Sequence, residues 1–191
     1  MLNEFIRFSA ELFPSISPYT KDEVRKAIQQ FKDYGRQYHF CMPQPFDFLT
    51  QGDIISEIPF VRYKENGERE TATFKGMLLS NTCDAERDPA LLFAPLIPLN
   101  EIDADRQAVL NNTIYRLLYI PDSDLLEYAI DLSLINSISR KVILKGIEIG
   151  RIHKEASLNR LGYYLFLTKL TVHLMRPEDT GVQADRNDES A

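Results

Sequence analysis

The chain has 191 residues, 44% of them apolar, and a formal net charge of −6, so it can build one ordinary core and its charge does not demand a polyanionic partner. Its two cysteines, Cys41 and Cys83, do not imply a disulfide framework, and no apolar run approaches the roughly 20 residues that cross a bilayer. The opening Met1-Leu2-Asn3-Glu4 is unlike a secretory leader, so the expectation is a soluble, cytoplasmic protein with no membrane partner.

Apolar residues at Phe5, Ile6, Phe8, Leu12 and Phe13 predict a short helix that ends before Pro14. Thr20-Lys21-Asp22-Glu23 is a capping-box pattern, and the helix it opens runs to about Tyr34 with Val24, Ala27, Ile28 and Phe31 on its apolar stripe. Residues 1–45 therefore read as an N-terminal helical extension, followed by an extended lead-in over Pro43–Leu49. A strand is expected over Ile54–Arg62, kinked or at an edge at Pro59. Asn66-Gly67 predicts a hairpin turn, with Thr71–Leu79 as the returning strand. A sharp polar turn, Ser80 to Asp84, leads to an apolar strand over Leu91–Leu96. A short helix over Ile102–Asn111 is expected above the barrel mouth, then strands over Ile114–Ile120 and Tyr128–Ile138. Ser139–Gly150 fits no single element. Ser157 is placed to cap a long, heavily buried helix that Arg176-Pro177 ends near Met175. Residues 177–191 carry five acids against one base and read as a disordered acidic tail. The fold class is α+β: a small β-barrel over residues 46–176 with a long C-terminal helix.

Gly52-Asp53-Ile54, then Met77-Leu78-Leu79-Ser80-Asn81, then Leu92-Phe93-Ala94-Pro95-Leu96 stand in an order and spacing that resemble the PemK/MazF-like toxins. The resemblance implies an SH3-like barrel, a homodimer, an antitoxin-like or operon-encoded partner, and a place in a toxin–antitoxin or phage-defence system. It also locates a departure. Phe74 occupies the position of the family's catalytic arginine, Lys75 the following proline, and Leu96-Ile97-Pro98 replaces the expected threonine. That pattern implies a binding module for RNA, DNA or a partner protein that has lost the usual nuclease residues. The alternative is a metal-independent endoribonuclease with a rearranged site, using Lys75 or Arg87 as cation and Asp84 or a histidine as base. The Ser-x-x-Cys-Asp run at Ser80–Asp84 is similar to that of a loose set of bacterial barrel proteins.

The remaining candidates follow from residue chemistry. Ser80, Asn81 and Thr82 are expected at the barrel rim, with Cys83 beside them as a weaker candidate for cysteine chemistry, although Asp84 next to it disfavours a thiolate. His39, Cys41 and Cys83 lack the paired cysteines of a structural zinc site, and no metal or cofactor is expected. Asp53, Glu57, Asp84 and Glu86 read either as a carboxylate cluster or as separate solvated charges. Arg140 to Arg160 holds six bases, Lys145 among them, against two acids, and with Arg62, Lys64, Arg69 and Lys75 of the hairpin it offers phosphate contacts, above all through Arg62, Lys64, Lys75, Arg140, Lys141 and Arg151, or an ordinary charged surface. Tyr163, Tyr164 and Phe166 suit base stacking, or a core or dimer seam.

Overall fold

The computed structural model describes residues 39–123, 125–175 and 179–187. The two N-terminal helices expected before Gly35 lie outside the described residues. The order of elements is β1 (Ile54–Tyr63), β2 (Arg69–Leu78), α1 (Thr82–Arg87), β3 (Ala90–Pro98), α2 (Arg106–Leu110), β4 (Leu117–Leu118), β5 (Tyr128–Asp131), β6 (Asn136–Ser139), α3 (Arg140–Glu148), β7 (Lys154–Ala156), α4 (Arg160–Met175) and α5 (Thr180–Asn187). The strands form one seven-stranded sheet in the order β4-β5-β3-β2-β1-β7, with β6 also on β3, and every pairing is antiparallel. The fold is α+β with a long helix near the C-terminal end, as the residue pattern predicts.

Asn66-Gly67 makes the predicted hairpin turn. Gly67 takes φ +82, which a residue without Cβ adopts freely, and the Lys64 and Glu68 backbones close the loop. Register then runs from Tyr63↔Arg69 to Ile54↔Met77, broken by a bulge between Ile55 and Ile58 where Glu57 takes φ 59. The kink thus falls at Glu57 rather than at Pro59. β7 pairs β1 only at Ile54 and Ile55, so Pro59 lies where one side of the strand is free of ladder bonds.

β3 takes two partners in succession. Ala90–Phe93 pairs β6, and Leu96–Pro98 pairs β5 along the same edge. The single strand expected over Tyr128–Ile138 is therefore two. Asp131 ends the first by accepting bonds at Oδ1 from the Ser133 N–H and hydroxyl, which turns the chain although the apolar alternation continues through it. The polar turn expected after Leu79 contains a six-residue helix, α1, capped by Asn81 Oδ1 accepting from the Cys83 N–H at 3.0 Å. The Ile114–Ile120 strand is shorter than expected, two residues long, and the undecided stretch after Ser139 is helix α3. Thr180–Asn187 is helical where a disordered tail is expected.

Three apolar clusters hold these elements. The first packs Ile54, Met77, Ala94, Leu96, Ile130 and Phe40 beneath Leu165 and Phe166 of α4. The second joins Ile55, Ile58, Phe60, Leu78 and Phe93 to Ala85 of α1 and Ile143 of α3. The third seats Val109 of α2 on Leu99, Leu117, Tyr119 and Ala129.

The start of α4 is capped by Asn159, whose Oδ1 accepts from the Gly162 N–H at 3.0 Å, and not by Ser157. Ser157 is buried and donates to Asp53 instead. At Gly162 the helix meets the backbone of Phe40 so closely that a Cβ would overlap the Phe40 carbonyl oxygen. Gly162→Ala is expected to destabilise the protein by about 1–3 kcal/mol, the ordinary range for overpacking, in a urea unfolding series. An unchanged midpoint would show that residues 39–42 are free to back away from α4.

Candidate binding site

Few of the residues singled out by sequence come together. Lys75 on β2 shares its face with Met77 of the first core and is ion-paired to Glu155 at 2.5 Å, with its Nζ 5.4 Å from the Tyr128 ring centroid. Asp84, Arg87 and Cys83 are exposed on α1, which packs Ala85 into the second core. The geometry therefore separates Lys75 from the α1 residues. At the rim, Ser80 Oγ accepts from the Leu92 N–H at 2.9 Å and Thr82 Oγ1 from the Gln51 N–H at 3.1 Å, so both side chains close backbone. Phe166 is fully buried core, and Tyr163 donates to Gln51 Oε1 at 2.9 Å, its hydroxyl pKa raised by burial.

Asp53 is not a rim carboxylate. It is fully buried and ion-paired to Lys154 Nζ at 2.8 Å. It also accepts from the Thr50 hydroxyl, the Thr50 N–H and the Ser157 hydroxyl. Lys154 in turn donates to the carbonyls of Phe46 and Phe48. The carboxylate cluster of Asp53, Glu57, Asp84 and Glu86 does not form, because its first member is spent inside this network. Among the described residues no three His, Cys, Asp or Glu side chains gather as a metal site.

Two clefts of similar size border the β1–β2 hairpin and share no lining residue. The first, about 530 Å³, is lined by Phe60 and Phe74 of the hairpin, Pro95 and Ile97 of β3, the loop from Glu101 to Asp103, and the turn after Asp131. It contains Phe74, in the position of the arginine of the PemK/MazF-like pattern, and Ile97 of the Leu96-Ile97-Pro98 run that replaces the threonine, while Lys75 lies outside it. Phe74 stands in an aromatic pair with Phe60, ring centroids 6.2 Å apart, and Ile97 adds an alkyl wall, so neither supplies an acid, a base or a phosphate clamp. Two guanidiniums, Arg62 and Arg116, face four carboxylates, Glu70, Glu101, Asp103 and Asp131. Both guanidiniums are taken, Arg62 by Glu70 and Arg116 by Asp131. The Arg62 hydrogen bond holds the Glu70 carboxyl below its ordinary pKa. The cleft carries a formal excess of negative charge and repels phosphate.

The second cleft, about 520 Å³, has the opposite sign. Lys141, Lys145 and Arg151 line it with Glu57 as the single acid, between apolar walls from Pro59, Val142, Ile149 and Ile152. Lys141, Lys145 and Arg151 are all exposed, α3 with the turn after it sets them along one side, and Lys145 is ion-paired to the exposed Glu148 at 3.0 Å. Arg140, on the same helix, is withdrawn: its Nε donates to the Ala85 carbonyl at 2.7 Å. Lys64 sits on the hairpin turn beside Glu68. Of the six residues read as phosphate contacts, only Lys141 and Arg151 share a cleft, and Lys145 joins them. Lys145, one of the six bases of the Arg140–Arg160 run, lies four residues after Lys141 and so shares its side of α3. No local signal would have found Lys169, a buried lysine of α4 whose Nζ donates to the Asn112 carbonyl at 2.7 Å. Burial pulls its pKa down from 10.5 to about 8.

No model of a known protein family matches the chain, and no curated protein matches it. Among solved structures the chain is similar to one titled as a MazE-MazF structure from Deinococcus radiodurans, at 9% identity and a TM-score of 0.42, covering 69% of this chain and 100% of that one. Among the described residues no helix is long and apolar enough to cross a membrane.

Proposed function

We propose that the chain is a nucleic-acid-binding module that grips phosphates without cleaving the strand, in a toxin–antitoxin or phage-defence system of the kind its motifs resemble. The observation that carries this reading is the second cleft, where Lys141 and Arg151 stand with Lys145, whose exposed pairing with Glu148 leaves both partners in solvent, and Glu57 is the one acid of the lining. Three cations in a row suit the spaced charges of a nucleic-acid backbone, and the apolar walls between them favour a strand over a free anion. The absence of cleavage is supported by Phe74 and Ile97, which fill the positions of the family's catalytic groups, and by the engagement of Lys75 with Glu155. The resemblance further supports a cytoplasmic homodimer and an antitoxin-like partner.

The test is a gel shift and a cleavage assay on one long mixed-sequence single-stranded RNA, in EDTA, across a salt series. Binding without cleavage is expected. Neutralising Lys141, Lys145 and Arg151 together should flatten the slope of log K against log salt by about 2, at roughly 0.7 per lost single-strand phosphate contact. Cleavage in EDTA that is lost on Lys75→Ala or Arg87→Ala would overturn the reading in favour of a rearranged ribonuclease. An unchanged salt slope in the triple variant would remove the second cleft from the interface.

A further inference from the structure

We infer that the first cleft is a receptor for an arginine side chain of a protein segment, a role separate from the phosphate grip proposed for the second. The argument starts from its unpaired charges. Arg62 and Arg116 are each held by a carboxylate of the same cleft, Glu70 and Asp131, so these four groups neutralise one another. Glu101 and Asp103 are left over. They are exposed on the loop after β3, both line the cleft, and neither has an ion-pair partner among the described residues. Two negative charges two residues apart thus line a cavity of about 530 Å³ without partners of their own.

Beside the two neutralised ion pairs the same lining has aromatic and aliphatic side chains, Phe60, Phe74, Pro95 and Ile97 among them. Phe74 and Ile97 present carbon where a phosphate-binding groove presents donors. An occupant that satisfies both parts has a cationic tip and an apolar stem. Arginine has that shape: its methylenes lie along apolar surface, its guanidinium stacks on an aromatic ring, and its fork of N–H groups meets carboxylates in pairs. A nucleic acid is disfavoured by the charge, and a neutral apolar peptide would leave Glu101 and Asp103 partly desolvated without a partner.

The experiment uses the full chain and a fluorescein-labelled nonapeptide of alternating arginine and leucine, read by fluorescence anisotropy at 150 mM salt. The matching glutamate–leucine peptide is the charge control. Saturable binding of the arginine peptide is expected, weakened at least about tenfold by Glu101→Gln with Asp103→Asn, a loss of about 1.4 kcal/mol. The pair Glu86→Gln with Asp88→Asn, exposed on and just after α1, removes the same net charge elsewhere and should change the dissociation constant less than twofold. Equal weakening by both pairs would mean that the peptide reads only the protein's overall charge, and the inference would fail. It would fail equally if no peptide bound, or if the glutamate peptide bound as well. Displacement of the peptide by single-stranded RNA from a protein already lacking Lys141, Lys145 and Arg151 would also overturn it, by making this cleft a nucleic-acid groove. The two readings separate cleanly, since the Glu101 and Asp103 variants leave the cations of the second cleft in place.

Discussion

Asp53→Ala is expected to lower the free energy of unfolding by about 3–5 kcal/mol, the range for removing one partner of a buried ion pair. The size follows from what the carboxylate holds. Lys154 is left charged with only 13% of its side chain exposed, and the Thr50 and Ser157 hydroxyls lose their acceptor. The same lysine pins the Phe46 and Phe48 carbonyls, so disorder should spread into the chain that precedes β1. Urea unfolding of Asp53→Ala, Lys154→Met and the double variant makes a cycle that isolates the pair. The double variant should recover part of the loss, because the orphaned charge is gone. If the single and double losses simply add, Asp53 acts through its hydroxyl partners and the ion pair contributes nothing.

Lys169 gives the second large effect, with a sign opposite to that of an ordinary surface lysine. Its folded-state pKa of about 8 lies below the ordinary 10.5, so between those values the unfolded chain binds the extra proton. The charging penalty is present in full below pH 8 and is relieved as pH rises toward 10.5, a gain of about 3 kcal/mol. Lys169→Met removes the penalty but leaves the Asn112 carbonyl without its donor. At pH 7 the variant should therefore be more stable than the parent by about 1–2 kcal/mol, once about 1 kcal/mol is given back for the lost hydrogen bond. That advantage should shrink steadily as the pH approaches 10. Comparing parent and variant at each pH cancels the opposing contribution of Tyr163, whose raised pKa costs stability as pH climbs through 10 and above. A difference that stays constant from pH 7 to pH 10 would mean that Lys169 keeps its ordinary proton affinity.

How much of this was readable in the residues depended on whether the signal was local. Asn66-Gly67 encodes its turn within four residues, and Leu91–Leu96 encodes its burial by composition, so the hairpin and β3 follow from sequence alone. The end of β5 does not, because Asp131 stops the strand by folding its own side chain onto Ser133 while the alternation of apolar residues runs on. Ser157 and Asn159 are both good helix caps in isolation, and only the distant Asp53 decides that Ser157 turns inward. The candidate site suffered most from this. The sequence shows that Arg62, Lys75 and Arg140 are cationic, but their partners Glu70, Glu155 and the Ala85 carbonyl are tertiary neighbours, two of them far along the chain. Pairing removes these cations from the pool free to meet a ligand, which a count of charges along the chain does not register.

The stitching of residues 39–42 to the far end of the chain has a consequence for biosynthesis. Phe40 N–H reaches Asp122 across 82 positions, His39 carbonyl reaches Asn159 across 120, and β1 takes its second neighbour from β7. A ribosome adding about 5–20 residues per second delivers Asn159 some 6–24 s after His39. The N-terminal lead-in has no α4 to dock on through that interval, and the hairpin, complete at Leu78, waits about 4–15 s for β7 to reach the outer edge of β1. The nascent chain therefore spends many seconds as a hairpin with one bare ladder edge, a template for pairing with the same hairpin on a neighbouring chain. The bulge at Glu57 and the missing N–H of Pro59 fall on that edge and blunt it during the wait.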